Sequence, residues 1–112
     1  MQNVEHNNAV SVVENIIAGE LRYAELKHPV FPKGFGGLAI ILEELGELAT
    51  ECNDKWHPEK GKRTPSEVDM AMAQEAAQVA VTAIRFLRTA AENGLDTDAV
   101  IKAIADKTEA LQ

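Results

Sequence analysis

Apolar residues recur at steps of three and four in four stretches of the chain, with polar or Pro/Gly-rich segments between them. That period belongs to amphipathic helices rather than to the alternation of strands. The first stretch predicts a helix over 9–27 with Val10, Val13, Ile16, Ile17, Leu21 and Ala24 on one buried stripe. His28-Pro29 ends it, because the residue before a proline is driven out of the α region. Pro29, Pro32, Gly34, Gly36 and Gly37 then predict an irregular connection carrying Phe31 and Phe35.

A second helix is expected over 37–54, with Ile41, Leu42, Leu45, Leu48, Ala49 and Cys52 as its apolar side. A polar loop holding Trp56, Pro58 and Gly61 follows. Thr64-Pro65-Ser66-Glu67 opens the third helix: Thr64 caps, Pro65 suits the first helical position, and Glu67 completes a capping box. This helix runs to Glu92, where Asn93-Gly94 stops it, with Gly94 suited to a left-handed position. Asp96 caps a fourth helix over 97–110 that turns Val100, Ile101, Ile104 and Leu111 inward.

The expected architecture is a single all-α domain over 1–112, a four-helix bundle. Apolar residues make up 46% of the chain and aromatics 4%, so Ala, Leu, Ile and Val must build the core. The third helix is apolar on more than one side, through Val68, Met70, Met72, Ala76, Val79, Val81, Ile84 and Leu87. One side should pack within the subunit and another against a second copy, giving a homodimer or homotetramer.

Eighteen Asp and Glu against eleven Lys and Arg leave a formal net charge of −7, which argues against a duplex nucleic-acid binder. Cys52 is the single cysteine, so no intrachain disulfide can form and a stapled, secreted scaffold is excluded. The polar N-terminus predicts no secretion signal and no apolar run predicts a membrane span, so a cytoplasmic location is expected.

Part of the acidic excess is gathered. Glu44, Glu47 and Glu51 lie three and four apart, in one row beside Ile41, Leu45 and Leu48, so some of that row should face other helices. Glu75 and Gln78 start a similar row on the third helix, continued by Thr82 and Arg85. Oxygen donors from two antiparallel helices can cradle a hard cation such as Mg²⁺, which also binds phosphate oxygens. Lys55, Lys60, Lys62 and Arg63 in the intervening loop could then neutralise outer phosphates. Each feature also has a plain reading. A glutamate row can be solvated surface, Arg85 can sit in a surface ion pair, and Phe31, Phe35 and Trp56 can be packing groups.

Glu43-Glu44-Leu45-Gly46-Glu47 followed by Glu75-Ala76-Ala77-Gln78 resembles the signature of the MazG-like all-α nucleoside triphosphate pyrophosphohydrolases, Glu-Glu-x-x-Glu and then Glu-x-x-Asp. Here 27 residues intervene between the two motifs, and the likeness spans 37–87. The resemblance implies Mg²⁺-dependent hydrolysis of nucleoside triphosphates, dNTPs or non-standard nucleotides, to the monophosphate and pyrophosphate. It implies that Glu44, Glu47 and Glu75 hold the ion and serve catalysis, with Gln78 as a further ligand and Glu43 behind them. It places Phe31, Phe35 and Trp56 as candidates for stacking on the base, and Arg85 for reaching a phosphate. Gln78 stands where the family pattern has Asp: its amide can ligate an ion, but it carries no charge and cannot act as a base. The alternative is therefore a nucleotide-binding or regulatory helical module that has lost the chemistry.

Overall fold

The computed structural model describes residues 2–59 and 63–112, with side chains from Glu5 onward. Four helices make up the fold: α1 (Gln2–Lys27), α2 (Gly34–Trp56), α3 (Pro65–Glu92) and α4 (Thr97–Glu109). The fold is all-α, and no strand occurs among the described residues. No helix among them is long and apolar enough to cross a membrane.

The helix signals at α3 and α4 act as read. Thr64 Oγ1 accepts from the Glu67 backbone N–H at 3.2 Å, and the Glu67 carboxylate accepts from the Thr64 N–H at 2.9 Å. Gly94 takes a φ of 99° just past the end of α3. The Asp96 side chain accepts from the Ala99 N–H at 3.0 Å.

Two helix starts differ from expectation. α1 begins at Gln2, because its polar first turns carry no apolar stripe to read. α2 begins at Gly34, so Gly36 and Gly37 lie within the helix rather than breaking the chain. Gly37 is there for closeness: a Cβ on it would stand 2.7 Å from the Pro32 carbonyl oxygen and 2.9 Å from Phe31 Cε1. That approach pins the 28–33 connection, and Phe31 with it, onto α2 and α3.

α2 and α3 run antiparallel as the main packed pair. The contacts Lys55 with Asp69, Glu44 with Gln78, and Gly37 with Phe86 step in opposite directions along the two helices. On α2 the facing row is Gly37, Ile41, Glu44, Leu48, Glu51 and Lys55, every member buried or half-buried. On α3 it is Val68, Met72, Glu75, Val79, Thr82 and Phe86, also buried or half-buried. α1 packs on another side of α3, where Glu25 pairs with Arg88 at 2.7 Å near the C-terminal ends of both helices.

Several expected core positions are not core. α2 is turned so that Glu44 faces α3, and this leaves Leu42 and Leu45 exposed. On α1 only the C-terminal half of the stripe packs: Ile17, Leu21 and Ala24 are half-buried, while Val10, Val13 and Ile16 are exposed. α4 buries no residue, Ile101 and Ile104 being 65% and 52% exposed and Leu111 projecting into solvent. The buried apolar side chains among the described residues are Val68, Ala77 and Val81.

Candidate functional site

The α2–α3 register brings acids together in the middle of the pair. Glu44, Glu47 and Glu75 each offer a carboxylate oxygen, and these oxygens lie within 4.8 Å of one another. Glu44 and Glu75 belong to the facing rows, so packing at either end of the hairpin holds them opposite each other. Glu47 flanks them, exposed, one turn along α2. Glu43 is exposed and stands outside the group.

Such crowding opposes ionisation. The Glu44 carboxyl is raised from 4.5 to about 7, first by burial and then by the charges of Glu47 and Glu75. The Glu75 carboxyl is also raised, again first by burial and then by its hydrogen bond and charge contact with Glu47. Gln78 adds a neutral group to this cluster. One terminal atom of its amide lies 2.7 Å from Glu44 Oε2 and 3.2 Å from Glu75 Oε2. An oxygen there would face only acceptors, so the hydrogen-bond network assigns the NH₂ group to that side, donating to both carboxylates. Turned about its last bond, the same amide presents an oxygen. The donor set is then three carboxylates and one carbonyl, all hard oxygens suited to Mg²⁺.

A cavity of about 430 Å³ opens between α1, the 28–33 connection, α2 and α3, and it reaches the acidic cluster through Glu44 and Gln78. Tyr23, Lys27, Phe31, Ile40, Thr82 and Arg85 line it. Arg85 is 5% exposed; it donates through Nη2 to the His28 carbonyl, and its guanidinium lies 5.2 Å from the Phe31 ring centroid. Its Nε has no hydrogen-bond partner, and no carboxylate among the described residues pairs with it. The surface ion pair that was one reading of Arg85 is thus not what the fold makes of it. A buried cation without a counter-charge is costly to keep, and here it lines a cavity with room for a ligand.

The fold sorts the remaining candidates. Phe31 lines the cavity, whereas Phe35 (89% exposed) and Trp56 (64% exposed) do not. Lys55 is paired with Asp69, and Arg63 donates to Glu51 at 2.6 Å and Asp54 at 2.8 Å, so both are engaged beside the α2–α3 turn. Lys60 and Lys62 lie outside the described residues. Tyr23, Lys27 and Ile40 were passed over in the sequence. Glu20, Tyr23 and Lys27 share one face of α1 by spacing, but nothing local says that this face meets a cavity rather than solvent. No family model, curated protein or solved structure matches the chain.

Proposed function

We propose that the protein is a Mg²⁺-dependent nucleoside triphosphate pyrophosphohydrolase of MazG-like type, cleaving dNTPs or non-standard nucleotides to the monophosphate and pyrophosphate. The observation that carries this reading is the meeting of Glu44, Glu47 and Glu75 beside a cavity of about 430 Å³ that Glu44 also lines. In this reading Glu44, Glu47 and Glu75 hold the ion, with the Gln78 carbonyl as a further ligand. The ion supplies the positive charge that polarises a phosphate and activates water. Phe31 and Tyr23 offer ring faces to the base, and Arg85, ten residues from Glu75 along α3 and thus about 15 Å away, belongs to the far end of the ligand. A cytoplasmic setting and action as an assembly of copies belong to the same reading.

The experiment is release of pyrophosphate from a panel of dNTPs with Mg²⁺, by wild type and by Glu44→Gln and Glu47→Gln. Turnover in wild type and its loss in both variants is expected; no turnover of any nucleotide refutes the enzyme. Gln78 favours a second reading, a nucleotide-binding module without hydrolysis, since its amide donates to two of the carboxylates and cannot serve as a base. That module binds nucleotide in calorimetry, releases no pyrophosphate, and gains turnover in Gln78→Asp.

A further inference from the structure

Among the described residues, Arg85 Nε is the buried side-chain nitrogen left without a hydrogen-bond partner. The side chain is 5% exposed, its guanidinium lies over the Phe31 ring, and its hydrogen bond runs from Nη2 to the His28 carbonyl. No carboxylate among the described residues pairs with it. An unmade bond on a buried charged donor is expensive, so the position calls for an acceptor that arrives from outside the chain. Ile40, Val81 and Phe31 make the neighbouring cavity wall apolar, which strengthens the bond such an acceptor makes.

Arg85 stands seven residues beyond Gln78 on the same side of α3, about 10 Å along the helix. Both line the cavity, which therefore runs from the acidic cluster at one end to the guanidinium at the other. The geometry points to Arg85 as the residue that selects the base: it takes nucleotides with an oxo group on the edge farthest from the sugar, and rejects those with an amine there. Uracil, thymine, hypoxanthine and guanine belong to the first class, cytosine and adenine to the second. This rests on the proposal that the cavity takes a nucleotide with its phosphates at Glu44, Glu47 and Glu75. A guanidinium has donors and no acceptor, so an oxo group completes it, whereas an amine sets donor against donor. Two other lining groups can favour an amine. Thr82 Oγ1 donates to the Val79 carbonyl at 2.9 Å and keeps electron pairs free, and Glu20 brings a carboxylate from α1. Hydrogen bonds from an ionised donor are roughly twice as strong as those between neutral groups, so Arg85 outweighs Thr82. Glu20 is half-buried and keeps contact with water, which Arg85 Nε lacks, so Glu20 has no need of the ligand.

Deoxynucleoside monophosphates test this apart from catalysis, because they hold no bond between α- and β-phosphates to cleave. Calorimetry of the full chain with Mg²⁺ compares two pairs that differ at the far edge, dIMP with dAMP and dUMP with dCMP. Wild type should bind the oxo member of each pair about 10–100-fold tighter, the discrimination of one well-made arginine–base contact. Arg85→Met should bring the ratio close to one by weakening the oxo member. Arg85→Gln, whose amide both donates and accepts, should level the pair by accommodating both members. Equal affinities in wild type, or an oxo preference that persists in folded Arg85→Met and Arg85→Gln chains, would overturn the assignment. So would the absence of binding by all four at millimolar concentration, or an amino preference that Glu20→Gln abolishes, which would give the base to Glu20. An oxo preference in a chain that releases no pyrophosphate from any dNTP upholds the assignment and refutes hydrolysis alone.

Discussion

The Gln78 amide reaches Glu44 Oε2 at 2.7 Å while also lying 3.2 Å from Glu75 Oε2, so one neutral side chain clasps two carboxylates of opposite helices. Replacing it by Asp or Glu removes the donors and adds a fourth negative charge. In EDTA, Gln78→Glu should be less stable than wild type by about 2–3 kcal/mol in urea unfolding, since like charges and an unmade hydrogen bond both count against it. With Mg²⁺ or Mn²⁺ the order reverses, and calorimetry should show at least about tenfold tighter binding, the effect of one more charged ligand. Equal ion affinity in the two proteins would sink the assignment of Gln78 to the ion.

The raised Glu44 carboxyl makes ion-free stability depend on pH. Between the ordinary 4.5 and about 7 the folded chain holds a proton that the unfolded chain has lost. Stability then falls as pH rises through that window, because the folded state binds more protons there. Glu75, shifted in the same direction, adds to the slope. Urea midpoints in EDTA should drop steadily from pH 5 to pH 7.5, and Glu44→Gln should flatten the profile. A midpoint that climbs with pH in this range would contradict the crowded, proton-sharing cluster.

Much of the fold was legible in the residues, for a local reason: caps and stops act within one turn. The capping box at Thr64 and Glu67, the Gly94 stop and the Asp96 cap all appear where the sequence put them. The meeting of Glu44 and Glu47 with Glu75 followed from the two-motif resemblance, whereas spacing alone put Glu44, Glu47 and Glu51 in one row without saying which of them faces α3. Helix rotation was not legible. Leu42 and Leu45 read as core because they are leucines, yet the facing row runs through Gly37 and Glu44, and that depends on what α3 and the connection present. Phe35 and Trp56 were candidates for the base because the resemblance places aromatics near the first connection and the second loop. Both stand exposed at the two ends of α2, outside the cavity lining, and only the assembled hairpin decides that.

Gly37 carries the geometry of the connection. Besides the Pro32 oxygen and Phe31, an added Cβ would stand 3.0 Å from Phe86 Cδ2, so three neighbours would have to move at once. Gly37→Ala should cost about 1–3 kcal/mol, the range of overpacking, despite alanine's better helix propensity. The 28–33 segment shifts with it, so nucleotide affinity should fall together with the urea midpoint. An alanine variant as stable as wild type would show that the connection yields freely.

Arg85 offers a contrast between removing a charge and removing a side chain. Its Nε is unpartnered and no carboxylate compensates it, so a methionine of similar length should stay within about 1 kcal/mol of wild type. Arg85→Ala leaves a void beside Phe31 and should cost about 2–4 kcal/mol. Both variants should bind nucleotide more weakly than wild type, since both lose the cation that lines the cavity. Unchanged nucleotide affinity in the stable methionine variant would remove Arg85 from the ligand site.

Phe31 and Trp56 were both candidates for the base, and the fold separates them. Phe31 lies in the cavity under the Arg85 guanidinium, whereas Trp56 stands exposed at the end of α2, outside the cavity lining. Phe31→Ala should weaken nucleotide binding by about 1–3 kcal/mol, the worth of one ring stacked on a base. Trp56→Ala should leave nucleotide affinity unchanged. Titration of both variants with one dNTP reads the two affinities. A Trp56→Ala chain that loses nucleotide affinity would return Trp56 to the ligand site.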